Sequence, residues 1–131
     1  QQIEAGIADK KLSVETLNPN CDHASSDDVG VSILGEEDRA FWKDHKAAKI
    51  NAIRIRALID SADIVVVKFG EQYKKWNAAF DAGYAVAKGK SLIVLHDPSL
   101  THALKEVDAA ASAVAERPDQ VVSILEYLCN D

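Results

Sequence analysis

The sequence contains no methionine, two cysteines, three prolines and no run of lysine or arginine. Without methionine, Gln1 is not a retained initiator, and the expectation is that a segment has been removed in front of it. Cys21 and Cys129 stand far apart and in no metal-type spacing, which points to reduced thiols in a cytoplasmic protein. The net charge of −6 argues against a partner that presents a phosphate backbone. The longest apolar runs, Ile64 to Val67 and Leu92 to Leu95, fall far short of the roughly 18 residues of a membrane span. The opening residues do not read as a signal peptide. Neither nucleic acid nor membrane is therefore expected as a partner; a small polar or cationic ligand fits better.

Common chemical signatures are missing too. Neither GxGxxG nor a Walker A loop occurs, which weakens a dinucleotide or ATP reading. Gly30-Val31-Ser32-Ile33-Leu34-Gly35 has one residue too many for a nucleophile elbow. Asp22, Asp27 and Asp28 do not follow EF-hand spacing, and His23, His45, His96 and His102 include no zinc-helix pair. No metal and no cofactor is expected.

What is present reads as one folded domain over residues 1–131, with 47% hydrophobic and 27% charged residues. Gln2 to Lys11 has helical periodicity, and Leu12 to Leu17 alternates like a strand before Asn18-Pro19. Asn20 to about Lys49 is polar throughout and predicts a long lid or binding loop with short helical turns at most. Ile50 to Ala62 predicts a helix with a broad apolar face. The β-branched run Ile64 to Phe69 predicts a central strand covered on both sides, and Ser91 to Leu95 a second buried strand. Thr101 to Ala111 reads as helix, Ala113 to Ala115 as a short edge strand, and Pro118 opens a final helix through Cys129. Strands alternating with helices give an α/β doubly wound (flavodoxin/Rossmann-like) parallel sheet. Ligands in such sheets sit beyond the carboxyl ends of the strands, here Asn18 to Asp28, Gly70 to Asn77, and His96 to Leu100.

The stretch Trp76 to Lys90 stands out. Ala78, Ala79, Ala82, Ala85 and Val86 recur at helical spacing and make one face almost entirely of small side chains. Asn77, Asp81, Tyr84 and Lys88 fall at steps of four, three and four along another side. Asn77 suits an N-cap and Gly89 a C′ position, which places Asp81 near the first turn. There the helix dipole favours an ionised carboxylate, as a nucleophile at a sugar carbon requires. More often, an acid at such a position only complements the dipole. A second acid would protonate the leaving group, and Asp63, Glu71, His23 and Asp28 are all conceivable.

The residues Lys49-Ile50-Asn51-Ala52-Ile53-Arg54, Ala62-Asp63 and Phe69-Gly70-Glu71-Gln72-Tyr73-Lys74-Lys75-Trp76-Asn77-Ala78-Ala79-Phe80-Asp81-Ala82-Gly83-Tyr84-Ala85 resemble the YtoQ family. Asp22-His23, Ser26-Asp27 and Leu104 to Asp108 share in the resemblance, which spans nearly the whole chain. That family is similar in turn to nucleoside 2-deoxyribosyltransferases and related N-glycoside hydrolases. The resemblance implies that Asp81 stands where the transferases carry a glutamate nucleophile, one methylene longer. It also implies a first strand and a glycine-containing substrate loop before Gln1, and assembly as a homodimer or higher homo-oligomer. The transferases' acid six positions earlier is Lys75 here.

The expected activity is cleavage or transfer of the N-glycosidic bond of a nucleoside or nucleotide, with Asp81, Asn77 and Tyr84 catalytic. Asp22, His23, Asp27, Asp28, Asn51, Arg54, Asp63, Gly70, Glu71, Tyr73, Trp76 and His96 are the candidate substrate-binding residues. Two other readings remain open: a non-catalytic nucleotide-binding or sensing module, and a structural oligomer with the alanine-rich helix as its interface.

Overall fold

The computed structural model describes residues 2–19, 23–35, 40–70 and 76–129, with only the backbone described at 23–28 and 40–44. Its elements are α1 (Gln2–Asp9), α2 (His23–Leu34), α3 (Ala40–Ser61), β1 (Ile64–Phe69), α4 (Trp76–Ala87) and β2 (Ser91–His96). A single 3-10 turn at Pro98–Leu100 then leads to α5 (Lys105–Ala110), β3 (Ala113–Ala115) and α6 (Pro118–Cys129). The chain forms two compact units, residues 1–16 with 62–131, and residues 17–61.

The larger unit is built on a parallel sheet in the order β1-β2-β3. Side chains alternate across a strand, so each strand supplies two layers. Ile93 and Leu95 face one way, joined by Ile64, Val66 and Ala115, and meet Ile7 of α1 with Val121 and Leu125 of α6. Leu92 and Val94 face the other way with Val65, Val67 and Phe69, and meet Ala82 of α4 and Leu104 ahead of α5. Helices thus cover both faces, as continuous apolar strands require. Burying each Leu or Val of β2 stabilises the fold by about 1.5–3 kcal/mol. Lys10 of α1 and Glu126 of α6 add a 2.6 Å ion pair at the surface.

The small residues of α4 have a packing reason. Ala82 and Ala85 are buried, and they let the helix backbone lie close to β1 and β2. Its end is a Schellman motif: the Lys90 N–H donates to the Ala85 carbonyl and the Gly89 N–H to that of Val86, both at 3.0 Å. Gly89 holds a φ of 75°, the left-handed conformation the motif needs.

Several expectations need correction. Leu12 to Leu17 forms no strand; Leu12 and Val14 instead pack as irregular chain against the core between α1, α6 and the sheet. The stretch read as a long loop holds α2 and the first ten residues of α3, the helices of the smaller unit. Gly30 permits their contact, because a Cβ there would stand 2.5 Å from the Ala47 backbone nitrogen. In α3, Ile59 is buried whereas Ile53 is exposed, so its apolar face is narrower than the sequence suggests. Among the described residues β1 pairs on one side only, and the central, fully covered strand is β2.

Candidate functional site

The carboxyl ends of the strands bring Gly70, His96, Asp97 and Glu116 to one edge of the larger unit. A hollow of about 360 Å³ opens there, toward the α1 and α6 side, lined also by Gln2, Lys68 and Pro118. His96 is 4% exposed, and both its ring nitrogens face acceptors. Nδ1–H donates to the Asp97 carbonyl at 2.7 Å, and Nε2–H to the Asp108 carboxylate, 2.8 Å from Oδ2 and 3.0 Å from Oδ1. Two acceptors are satisfied together only when both nitrogens carry hydrogen, so the geometry calls for an imidazolium. Burial by itself would lower the His96 pKa; the Asp97 carbonyl and the Asp108 carboxylate outweigh it, and the pKa is raised. Asp97 shifts the other way. The Ser99 backbone N–H and side chain hold its carboxyl below the usual value, and the N–H donates to Oδ1 at 2.9 Å.

Asp81 belongs to a different place. It is the sixth residue of α4, half-buried on the flank beside the alanine face, and α4 covers the sheet face opposite the hollow. No hydrogen bond or ion pair to its carboxylate is found among the described residues. Burial pushes its pKa above the ordinary value. α4 begins at Trp76, so Asn77 lies within the first turn and not at the cap. Asn77 is exposed and Tyr84 half-buried, with the Lys88 ammonium 5.8 Å from the Tyr84 ring centre. A second, apolar crevice of about 190 Å³ separates α4 from α5, lined by Ala79, Gly83, Leu92 and Val107 among others. Neither hollow includes Asp81.

The remaining candidates are dispersed. Gly70 and His96 meet at the larger hollow. Asp63 is exposed at the amino end of β1, the opposite sheet edge. Trp76 is 71% exposed. Asn51 and Arg54 lie on α3 in the smaller unit, half-buried and exposed respectively. His23, Asp27 and Asp28 are on α2, where only the backbone is described; Asp22, Glu71 and Tyr73 lie outside the described residues. Sequence reasoning missed Lys68, Asp97, Asp108 and Glu116. The available signal was Leu104 to Asp108, a run noticed for its resemblance but given no role.

Helices on both faces of an open parallel sheet, with polar residues gathered beyond its carboxyl ends, define the class: an α/β domain of the doubly wound, Rossmann-like kind. No helix among the described residues is long and apolar enough to cross a membrane, and no group of three or more potential metal ligands is found among them. The chain belongs to the YtoQ family, whose model, described as nucleoside 2-deoxyribosyltransferase YtoQ, matches residues 1–129. It is 41% identical over 128 residues to the uncharacterized protein YtoQ of Bacillus subtilis strain 168, a match covering 98% of this chain and 86% of the relative.

Proposed function

We propose that this domain cleaves or transfers the N-glycosidic bond of a nucleoside or nucleotide, with Asp81 as the nucleophile. The observation supporting this most is the state of that carboxylate: half-buried, with no cation against it among the described residues, and made more basic by burial. Once ionised, a more basic carboxylate donates its electron pair more readily. An Asp81 oxygen attacks the anomeric carbon, forming a C–O bond while the C–N bond breaks. The electron pair of that bond goes to the base nitrogen, which takes a proton from a general acid or from solvent. Water, or the nitrogen of a second base, then attacks the glycosyl ester and restores the carboxylate. Asn77 and Tyr84, on the same flank of α4, hold the sugar against Asp81. Of the general-acid candidates, Asp63 sits at the amino end of β1, the sheet edge away from the start of α4.

The test is base release from a panel of deoxynucleosides and their monophosphates by the full-length protein. Asp81→Ala is expected to lower turnover at least about 10³-fold, the scale of losing a covalent step. Equal turnover by both proteins would remove the claim.

One observation favours a second reading. The hollow with Lys68 and His96 opens on the α1 and α6 side, away from α4, so ligand binding there would leave Asp81 a bystander. A non-catalytic nucleotide-binding module predicts thermal stabilisation by nucleotide that Lys68→Ala weakens, with no base release.

A further inference from the structure

Between β2 and β3 the chain leaves the sheet, makes the 3-10 turn and α5, and returns. That excursion, residues 97–111, is fastened where it starts and where it ends. At the return, the Ser112 N–H donates to the Leu92 carbonyl at 2.8 Å and the Leu92 N–H to the Ser112 hydroxyl at 3.2 Å, beside the β2–β3 ladder. At the departure, two hydrogen bonds run through one ring: His96 donates to the Asp97 carbonyl and to the Asp108 carboxylate of α5. In between, Leu104 is buried in one cluster with Leu92 and Val94, and Leu100, Val107 and Ala111 are partly buried against it. A helix of six residues has little stability of its own and depends on such contacts.

The two bonds at the departure need two ring protons, and a neutral imidazole has one. If Nδ1 keeps it, the Nε2 lone pair faces the Asp108 carboxylate; if Nε2 keeps it, the Nδ1 lone pair faces the Asp97 carbonyl at 2.7 Å. Both acceptors belong to the same excursion, so either tautomer pushes part of it off the end of β2. We propose that His96 is a proton-operated latch: with hydrogen on both ring nitrogens residues 97–110 stay closed on the sheet, and loss of one proton lets them swing out on Ser112. Opening bares Leu104 and extends the apolar crevice between α4 and α5, which Leu92 and Val107 already line. Burial disfavours the charged ring, but the Asp97 carbonyl and then the Asp108 and Asp97 carboxylates outweigh it. The other charged residues lining the hollow with His96 are Lys68 of β1 and Glu116 after β3, both exposed and opposite in sign; Gln2 of α1 and Pro118 of α6 add no charge. The closed form therefore holds the proton above the ordinary value of 6.5, so the latch is fully closed below that pH and loosens as pH rises.

The test is amide hydrogen exchange of the full-length protein from about pH 5.5 to about pH 9, a range that brackets the ordinary imidazole value, corrected at each pH for the intrinsic exchange rate. Peptides covering 97–111 and 118–129 are read separately. Protection over 97–111 is expected to be level at the acid end and then to fall by up to about tenfold per pH unit, the slope of one released proton. At the alkaline end it is expected to lie at least about tenfold below that of α6, because the excursion opens while the rest of the fold holds. Asp108→Asn, which removes the charge that retains the second proton, is expected to show low protection over 97–111 already at the acid end and a flattened fall. Nitrogen-15 spectra of the wild-type ring are expected to show both nitrogens protonated at about pH 6, below the ordinary value. The proposal is overturned if protection over 97–111 does not change with pH, or if that stretch exchanges no faster than α6 at the alkaline end. It is also overturned if Asp108→Asn keeps the wild-type profile, or if the ring is neutral at the acid end.

Discussion

Two glycines lie against neighbouring helices, and a third does not, so one substitution has opposite expected signs at three places. Alanine at Gly83 removes the entropic cost of glycine and meets open space, and is expected to stabilise the fold by about 0.8–1 kcal/mol. For a domain of this length that corresponds to roughly 3–5 °C in melting temperature. Alanine at Gly30 gains the same local term, but its Cβ would stand 2.5 Å from the Ala47 nitrogen and 2.7 Å from the Lys46 carbonyl carbon. Backbone cannot rotate aside, so α2 and α3 must separate by the better part of an ångström. Overpacking of this kind costs about 1–3 kcal/mol, and the net effect is expected to be a loss of up to about 2 kcal/mol. Gly6 is intermediate: its obstacle is Val122 Cγ2 at 2.7 Å, the tip of a buried but rotatable side chain. Urea unfolding would read all three. Trp42 is on α3 and Trp76 on α4, so fluorescence of the Trp42→Phe and Trp76→Phe backgrounds reports the two units separately. Stabilisation by Gly30→Ala equal to that by Gly83→Ala would refute the close approach of α2 to α3.

Asp81→Asn should trade function for stability. The carboxyl pKa is raised in the folded state, so its favourable contribution is complete below the ordinary 3.8 and is lost as pH climbs through the folded value. At pH 7 the asparagine variant is expected to be about 0.5–1 kcal/mol more stable than wild type, as when a functional group is relieved of strain, and near pH 3 no more stable; thermal melts at both pH values check this. His96 gives a second window. Its raised pKa stabilises the fold fully below the ordinary 6.5 and less as pH rises through the folded value. Wild-type stability is therefore expected to decline from neutral into alkaline pH. Asp108→Asn should flatten that decline and cost about 1.5–3 kcal/mol at pH 6, where a charge-assisted hydrogen bond is lost. An unchanged pH profile in the variant would show that the pair does not govern it.

Much of the larger unit could be read from the sequence because its signals are local. The β-branched run of β1, the apolar run of β2 and Pro118 at the first position of α6 each act within a few residues, and all three elements formed there. The smaller unit was not legible for the opposite reason. α2 reads His23-Ala24-Ser25-Ser26-Asp27-Asp28-Val29-Gly30, a polar text with a helix breaker inside it, and its helicity rests on contact with α3, which local pattern does not encode. The alternation at Leu12 and Val14 misled because both side chains reach a core without any strand to pair with. Helical spacing put Asn77, Asp81 and Tyr84 on one helix, and α4 carries all three. It did not anticipate that burial would raise the Asp81 pKa, nor that Asp108, twelve residues along, would meet His96.

Nucleophilic catalysis by Asp81 requires that its carboxylate become covalently bound to a sugar. Rapid acid quench of the full-length protein with a deoxynucleoside, followed by peptide mass spectrometry, measures this directly. The expected result is a deoxyribosyl ester on the peptide carrying Asp81, missing in Asp81→Asn and cleared by added acceptor base. Base release at the wild-type rate by Asp81→Asn, or an adduct on a different residue, would contradict it.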